Sequence, residues 1–454
     1  MKKIILLLII LCPTLIRAQN TIDNRQQEIV FRSVNIVPMD RETVLENYDV
    51  VVKDGKIKAI GPTKSITVDK NALIIDAKGK FLIPGLAEMH AHVPPIDDIS
   101  PMKEVLMLYA LNGITTIRGM LGHPKHLELR KKIADGEILG PKLYTSGPSF
   151  NGNTVKSAEE GILMVKEQKA AGYDFLKFHP GLSRPNFDAL VKTADEVKIP
   201  FAGHVSWDVG IWHAIESNYK TIDHLDAFVE GLVPNLSEIK EQDAGFMGIY
   251  IATKADESII PKLVKGLRDH HVWVVPTQAL AERWLSATMT TTECAAAPEM
   301  KYMDAATTKK WAEAKDKSVN DPRYKKEDFG AFLSLRRKLI YECQKNGVGM
   351  LLGSDAPQVY NVPGFSIHHE LRYMVNAGLS PFEALQMGTV NVARFFGRDN
   401  AGTIKAGNVS DLVLLNANPL ADIGNTSAIQ GVMLNNRWLS KEFIASELKK
   451  LVKQ

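Results

Sequence analysis

Hydrophobic positions along the chain fall into three textures. Residues 28–83 carry short β-branched runs separated by turn residues, "EIVFRSVNIVP", "DVVVKDGKIKAIGP" and "ALIIDAKGKFLIP". Such runs predict strands, and Asp54-Gly55 within "KDGK" predicts a tight hairpin turn. From 84 to 398 short apolar runs alternate with helical stretches such as "SAEEGILMVKEQKAAG" and "RPNFDALVKTADEVK". Eight of these apolar runs end near His90, Arg118, Thr145, Lys177, His204, His224, Pro276 and Asp355. Strand–helix alternation repeated in this way predicts an α/β fold, a (β/α)8 TIM barrel over 84–398. Residues 399–454 return to short strands broken by Gly and Asn, "AGTIKAGNVSDLVLLNANP" and "AIQGVMLNNRWL". With residues 19–83 they predict a small β-sandwich domain built from both chain ends. Near the end of the barrel, "NVPGFSIHHELRYMVNAG" predicts a loop and an amphipathic helix. "SPFEALQMGTVNVARFFG" predicts a helix capped by Ser380 and Glu383.

The first residues change the picture of charge. Lys2 and Lys3 precede an apolar stretch over 4–11, and Ala18 is a small residue at a suitable cleavage point. That arrangement predicts a signal peptide over 1–18 and an exported protein, periplasmic or secreted. The apolar stretch is short for a membrane span, so no membrane association is expected after cleavage. The chain holds 55 basic and 52 acidic residues, and Lys2, Lys3 and Arg17 account for the excess. The mature part is formally neutral, which argues against nucleic-acid binding. Cys294 and Cys343 remain after the leader; they could pair, but they lack the spacing of a cysteine zinc site.

Reactive side chains gather at the predicted strand ends. In "GLAEMHAHVPP", His90 and His92 are two residues apart, so on a strand they face one side. Two imidazoles aimed at one point form half of a metal site. Lys177 sits among Phe175, Leu176 and Phe178, where a cation is costly to bury. His204, His224 and Asp355 end later strands, and the C-terminal strand ends of a barrel converge on one mouth. Two polar or mixed insertions, 226–258 and 283–325, are long enough to cover that mouth.

Together, "PGLAEMHAH", Lys177, His204, His224 and "GSDA" resemble the metal-dependent amidohydrolase superfamily, in its imidazolonepropionase-like and prolidase-like group. "GKIKAIG", "VSDLVLLNANPL" and "GTVNVAR" fit the group's flanking β-domain and last barrel helix. The resemblance implies two Zn²⁺ ions per chain. His90 and His92 would hold the buried ion, and His204 and His224 the second. Lys177, carboxylated by carbon dioxide to a carbamate, would bridge them. It gives Asp355 two roles, metal ligand and proton shuttle. The implied activity is hydrolysis of an amide in a small-molecule substrate such as a dipeptide or an N-acyl amino acid. A mononuclear deaminase, a cyclic amide hydrolase or a lactonase is the alternative, and a homo-oligomer is compatible with the group. Arg118 and Tyr144 are candidates for binding substrate, Arg118 through a carboxylate. For His123, His126, Arg283, His368 and His369, packing or solvated roles are expected.

Overall fold

The computed structural model describes residues 27–323 and 325–453; the leader lies outside the described residues. The chain opens with β1 (Ile29–Ile36), β2 (Leu45–Lys53), β3 (Lys56–Pro62), β4 (Leu73–Asp76) and β5 (Phe81–Pro84). β2 and β3 form the expected hairpin, with Lys53 opposite Lys56. Asp54 and Gly55 both take positive φ, 51° and 73°, as a two-residue turn of this twist requires.

Seven parallel strands follow, β6 (Leu86–Ala91), β7 (Ile114–Gly119), β8 (Lys142–Thr145), β9 (Leu176–Phe178), β10 (Phe201–Gly203), β11 (Thr221–Asp223) and β12 (Trp273–Val275). They form two sheets, β6–β7–β8 and β9–β10–β11–β12. A backbone bond from Asp174 to Thr145 and a parallel bridge between Ser146 and Phe175 link β8 to the start of β9. Helices lie between successive strands. Ala158–Ala171 is capped by Ser157, which accepts the Glu160 N–H, and ends at Gly172 with φ 85°. Arg184–Val197, also expected as a helix, begins with Pro in its first turn. This is a TIM-barrel-like α/β arrangement.

The eighth predicted strand is a departure. Residues 349–356 run between β12 and β6, and Val274 bonds to Gly349 and Leu351 while Met89 bonds to Leu352. Yet the segment makes only isolated bridges, Met350 with Val274 and Ala356 with Ala91. The cause is Glu88. Its buried carboxylate accepts the N–H groups of His90 and Ser354 and the Ser354 hydroxyl, so a side chain takes the place of the ladder partner. The helix predicted over 381–396 is also divided. Pro381–Met387 has the expected capping box, and a second helix, Val390–Phe395, starts after Thr389.

β13 (Leu412–Leu415), β14 (Ile429–Leu434) and β15 (Arg437–Ser440) return to the first strands in one hydrogen-bonded sheet, ordered β15-β14-β13-β5-β1-β2-β3 with β4 beside β1. Both chain ends therefore build it, as expected. The seam is β5 against β13, with Leu82 opposite Leu414 and Ile83 opposite Val413. Its alternation feeds two cores. Leu82, Leu412 and Leu414 pack with Phe31, Val50 and Met433, while Ile83, Val413 and Leu415 join the barrel core. Burial on both faces explains why these strands read as continuous apolar runs. Cys294 and Cys343 are both buried and unpaired. No helix among the described residues is long and apolar enough to cross a membrane.

Candidate metal centre

β6 delivers Glu88, His90 and His92 on one face, because they are spaced by two. His92 Nε2 lies 2.7 Å from Asp355 Oδ1, and His90 Nε2 lies 3.5 Å from the same oxygen. The ligating atoms of these three residues fall within 4.8 Å of one another. The His224 ring is 4.4 Å from the His90 ring and 4.4 Å from the His204 ring, and His224 Nδ1 is 3.9 Å from Asp355 Oδ2. Five of the six predicted ligands are therefore placed together by direct contacts.

Lys177 is the sixth. It is fully buried, and its Nζ has no hydrogen-bond partner. Its path to the mouth depends on Gly203, whose φ is 125°. A Cβ there would sit 2.4 Å from the Phe178 carbonyl and 2.8 Å from Lys177 Cδ. Burial pulls the Lys177 pKa down to about 8, against which Asp223 and Asp355 pull up. His224 Nε2 is likewise buried without a partner. Burial, with the nearby Lys177 and histidines, holds the His90 and His224 pKa values well below normal. Neutral imidazoles keep the lone pairs that a cation needs.

Each imidazole is aimed by a polar neighbour. His204 Nδ1 faces Asp226 Oδ2 at 2.9 Å, and that oxygen also accepts the Val205 N–H. A carboxylate only accepts, so Nδ1 carries the proton and Nε2 faces the site as acceptor. His224 Nδ1 meets Thr277 Oγ1 at 2.9 Å. His90 Nδ1 is 3.0 Å from Asp223 Oδ2, off the line of a good hydrogen bond. The backbone is bent to hold these positions. His224, Asp355 and Thr277 have φ of 66°, 64° and 45°, a region that side chains other than glycine avoid. This donor set, four imidazoles, a carboxylate and a lysine, with His90 Nδ1, Lys177 Nζ and His224 Nε2 lacking hydrogen-bond partners, fits divalent cations.

Two candidate substrate residues are elsewhere. Arg118 is buried below the mouth. It donates to the Met89 carbonyl, to Thr221 Oγ1 and, through one Nη, to both oxygens of Asp223. Its guanidinium also lies 5.4 Å from the centre of the Phe175 ring. Fully bonded in this way, it has no free face for a substrate carboxylate. Tyr144 stacks on Phe396 with ring centres 3.7 Å apart. It alternates with Leu143 and Thr145, so its side chain leaves β8 on the side away from theirs. His126 and His368 have packing roles, within the packing or solvated roles expected of them. His126 reaches the Pro94 carbonyl, and His368 bridges Thr426 and the Asn112 carbonyl.

Sequence reading passed over His179, Glu88, Asp223 and Asp226. His179 stands two residues after Lys177 and so shares its side, and its ring is 5.0 Å from that of His204. Burial, with Lys177 adding, lowers its pKa to about 2. The signal was the period of two from Lys177. For Glu88, Asp223 and Asp226 it was an acid inside an apolar run, and for Glu88 burial raises the pKa to about 8.

A cavity of about 940 Å³ is lined in part by Asp226, the carboxylate that faces His204. The insertions over 226–258 and 283–325 form much of its wall, with Phe246, Tyr250, Trp284 and Arg323 among their contributions.

With this geometry in place, comparison with known proteins is informative. Residues 81–439 match the amidohydrolase family. The chain is 25% identical over 401 residues to the dihydroorotase of Ligilactobacillus salivarius strain UCC118, covering 82% of this chain and 85% of the relative. It is 24% identical over 420 residues to the imidazolonepropionase of Psychrobacter cryohalolentis, covering 87% and 89%. Among solved structures it resembles a Xaa-Pro dipeptidase with methionine bound in its active site. The TM-score is 0.66 at 16% identity, over 91% of this chain and all of that one.

Proposed function

The chain belongs to the amidohydrolase family, and from that premise we propose that it hydrolyses the amide bond of a dipeptide or N-acyl amino acid with two Zn²⁺ ions. The family and its hydrolase relatives make it a metal-dependent hydrolase acting on carbon–nitrogen bonds. The observation that carries the two-ion reading is the pair of buried orphan nitrogens, Lys177 Nζ and His224 Nε2, beside a His90, His92 and Asp355 cluster that could hold one ion by itself. A buried polar atom without a partner is costly, and a second cation relieves both.

In this reading His90, His92 and Asp355 would hold one ion and His204 and His224 the other, and Lys177, as a carbamate, would supply a further anionic ligand. Its neutral amine attacks carbon dioxide, an N–C bond forms and the nitrogen releases a proton. A pKa of about 8 keeps part of the population neutral near pH 7, so that step is open. Bound cations of this kind lower the pKa of water and polarise a carbonyl. Asp355 then accepts the proton of the attacking water and returns it to the leaving nitrogen. Asp226 and Thr277 keep His204 and His224 aimed. The eight strand-like segments are read as a closed ring that fixes these distances, since hydrogen bonds link each to the next.

The mononuclear alternative is favoured by a different observation, the compactness of the His90, His92 and Asp355 cluster within 4.8 Å. Ion content and turnover measured on one sample decide between them. The proposal expects about two ions per chain at full activity on a panel of dipeptides and N-acyl amino acids, with loss on chelation. Full activity with one ion, or turnover unchanged by chelator, ends it. We also propose export, supported by the leader over 1–18. A mature N-terminus near residue 19 in the exported fraction is the expected result.

A further inference from the structure

The cavity beside the metal centre has an uneven lining. Trp207, Trp212, Phe246, Tyr250 and Trp284 contribute aromatic surface. Asp226, Glu230, Glu241 and Asp321 are the acids of the lining, and Asp226 is the one that meets His204. Asp226 is already engaged, with His204 and the Val205 N–H on one oxygen. Glu230 is different. The residue is only 9% exposed, and its Oε2 is buried with no hydrogen-bond partner.

Among the described residues no cation hydrogen-bonds to this oxygen, although Lys317 and Arg323 line the same cavity. Arg336 lies close enough to influence its charge, yet it donates to the carbonyls of His224 and Pro276 and to Gln278 Oε1. Arg323, on the cavity wall, is held by Asp321 at 2.8 and 2.9 Å and lies over the Tyr250 ring. A carboxyl left unmatched in an apolar wall is expensive unless something else completes it. Burial, with Asp226 adding, pushes the Glu230 pKa up to about 8, and a cation brought beside the group would favour its ionised form. Aromatic faces next to an acid attract a cation twice, through the ring quadrupoles and through the carboxylate.

We propose that Glu230 is the specificity group of this cavity, and that it selects substrates carrying a positively charged nitrogen at the end of an apolar stem. This rests on the reading of the cavity as the substrate pocket of the hydrolase. The Glu230 carboxylate would accept the ammonium N–H, and the surrounding rings would cover the stem. Glu230 takes no part in the bond cleavage.

Binding to metal-free protein tests this apart from hydrolysis. Glycyl-lysine and glycyl-norleucine, and the same pairs in reversed order, differ only in that lysine carries an ammonium group where norleucine carries a hydrogen. By calorimetry, the lysine member of at least one pair should bind about tenfold or more tightly to the wild type, the effect of one charge-assisted hydrogen bond. In Glu230→Gln the ratio should fall to about one. Equal affinities, no binding by either member, or a preference kept in Glu230→Gln would overturn the proposal. If the variant does not fold, the wild-type ratio alone decides. If the preference is present but the metal-loaded protein hydrolyses neither dipeptide, the dipeptidase reading falls and the cation site stands.

Discussion

Arg118 and Lys177 are both fully buried cations inside one barrel, and the fold treats them oppositely. Arg118 ends in a closed network, with Asp223, Thr221 and the Met89 carbonyl taking its donors. Lys177 ends in nothing. The same contrast separates other groups. Arg336 is bonded to His224, Pro276 and Gln278, whereas Glu230 Oε2 and His224 Nε2 are left open. A completed buried charge supports the scaffold, and an open one faces a ligand. Arg118 serves the mouth indirectly, because the Asp223 that it holds also lies 3.0 Å from His90.

Four changes break or sharpen that contrast. The largest effect is expected at Asp355, which lies on the open side. Asp355→Asn should lower kcat about a thousandfold, with part of the metal retained. Near-normal turnover would remove the proton-shuttle role. Next is Arg118→Met, which strands Asp223 in the interior. Metal-free protein should lose about 3–5 kcal/mol in denaturant unfolding. Lys177→Met strands no partner, so its metal-free stability should equal or exceed that of wild type while one ion is lost. If the two variants unfold alike, the distinction between completed and open charges fails.

A smaller effect is expected at Asp226→Asn, because Asp226 acts through His204. Metal affinity should drop about 10–100-fold with the fold intact, as titration against a competing chelator would report. Smallest is a pH effect. The Lys177 pKa is about 8 in the folded chain against an ordinary 10.5. Between these values the unfolded chain binds the additional proton, so metal-free stability rises with pH across that window. Below about pH 8 both states are protonated and the penalty for the buried cation is present in full. Lys177→Met should flatten this rise, and an unchanged slope in the variant would exclude Lys177 as its source.

Periodicity alone settled a good deal. The period of two put His90 and His92 on one face, and strand–helix alternation put Lys177, His204, His224 and Asp355 at converging ends. Pro, Gly and capping residues set the helix limits at Ser157, Gly172 and Ser380. These are local properties, fixed by backbone geometry over a few residues. Partner choice is not local. Arg118 meets Asp223 across 105 positions, and Glu88 meets Ser354 across 266. Whether a buried charge is completed or left open, and whether the eighth segment keeps its ladder, were decided only when distant strands came side by side. The electrostatic cost of burial depends on which groups arrive there together.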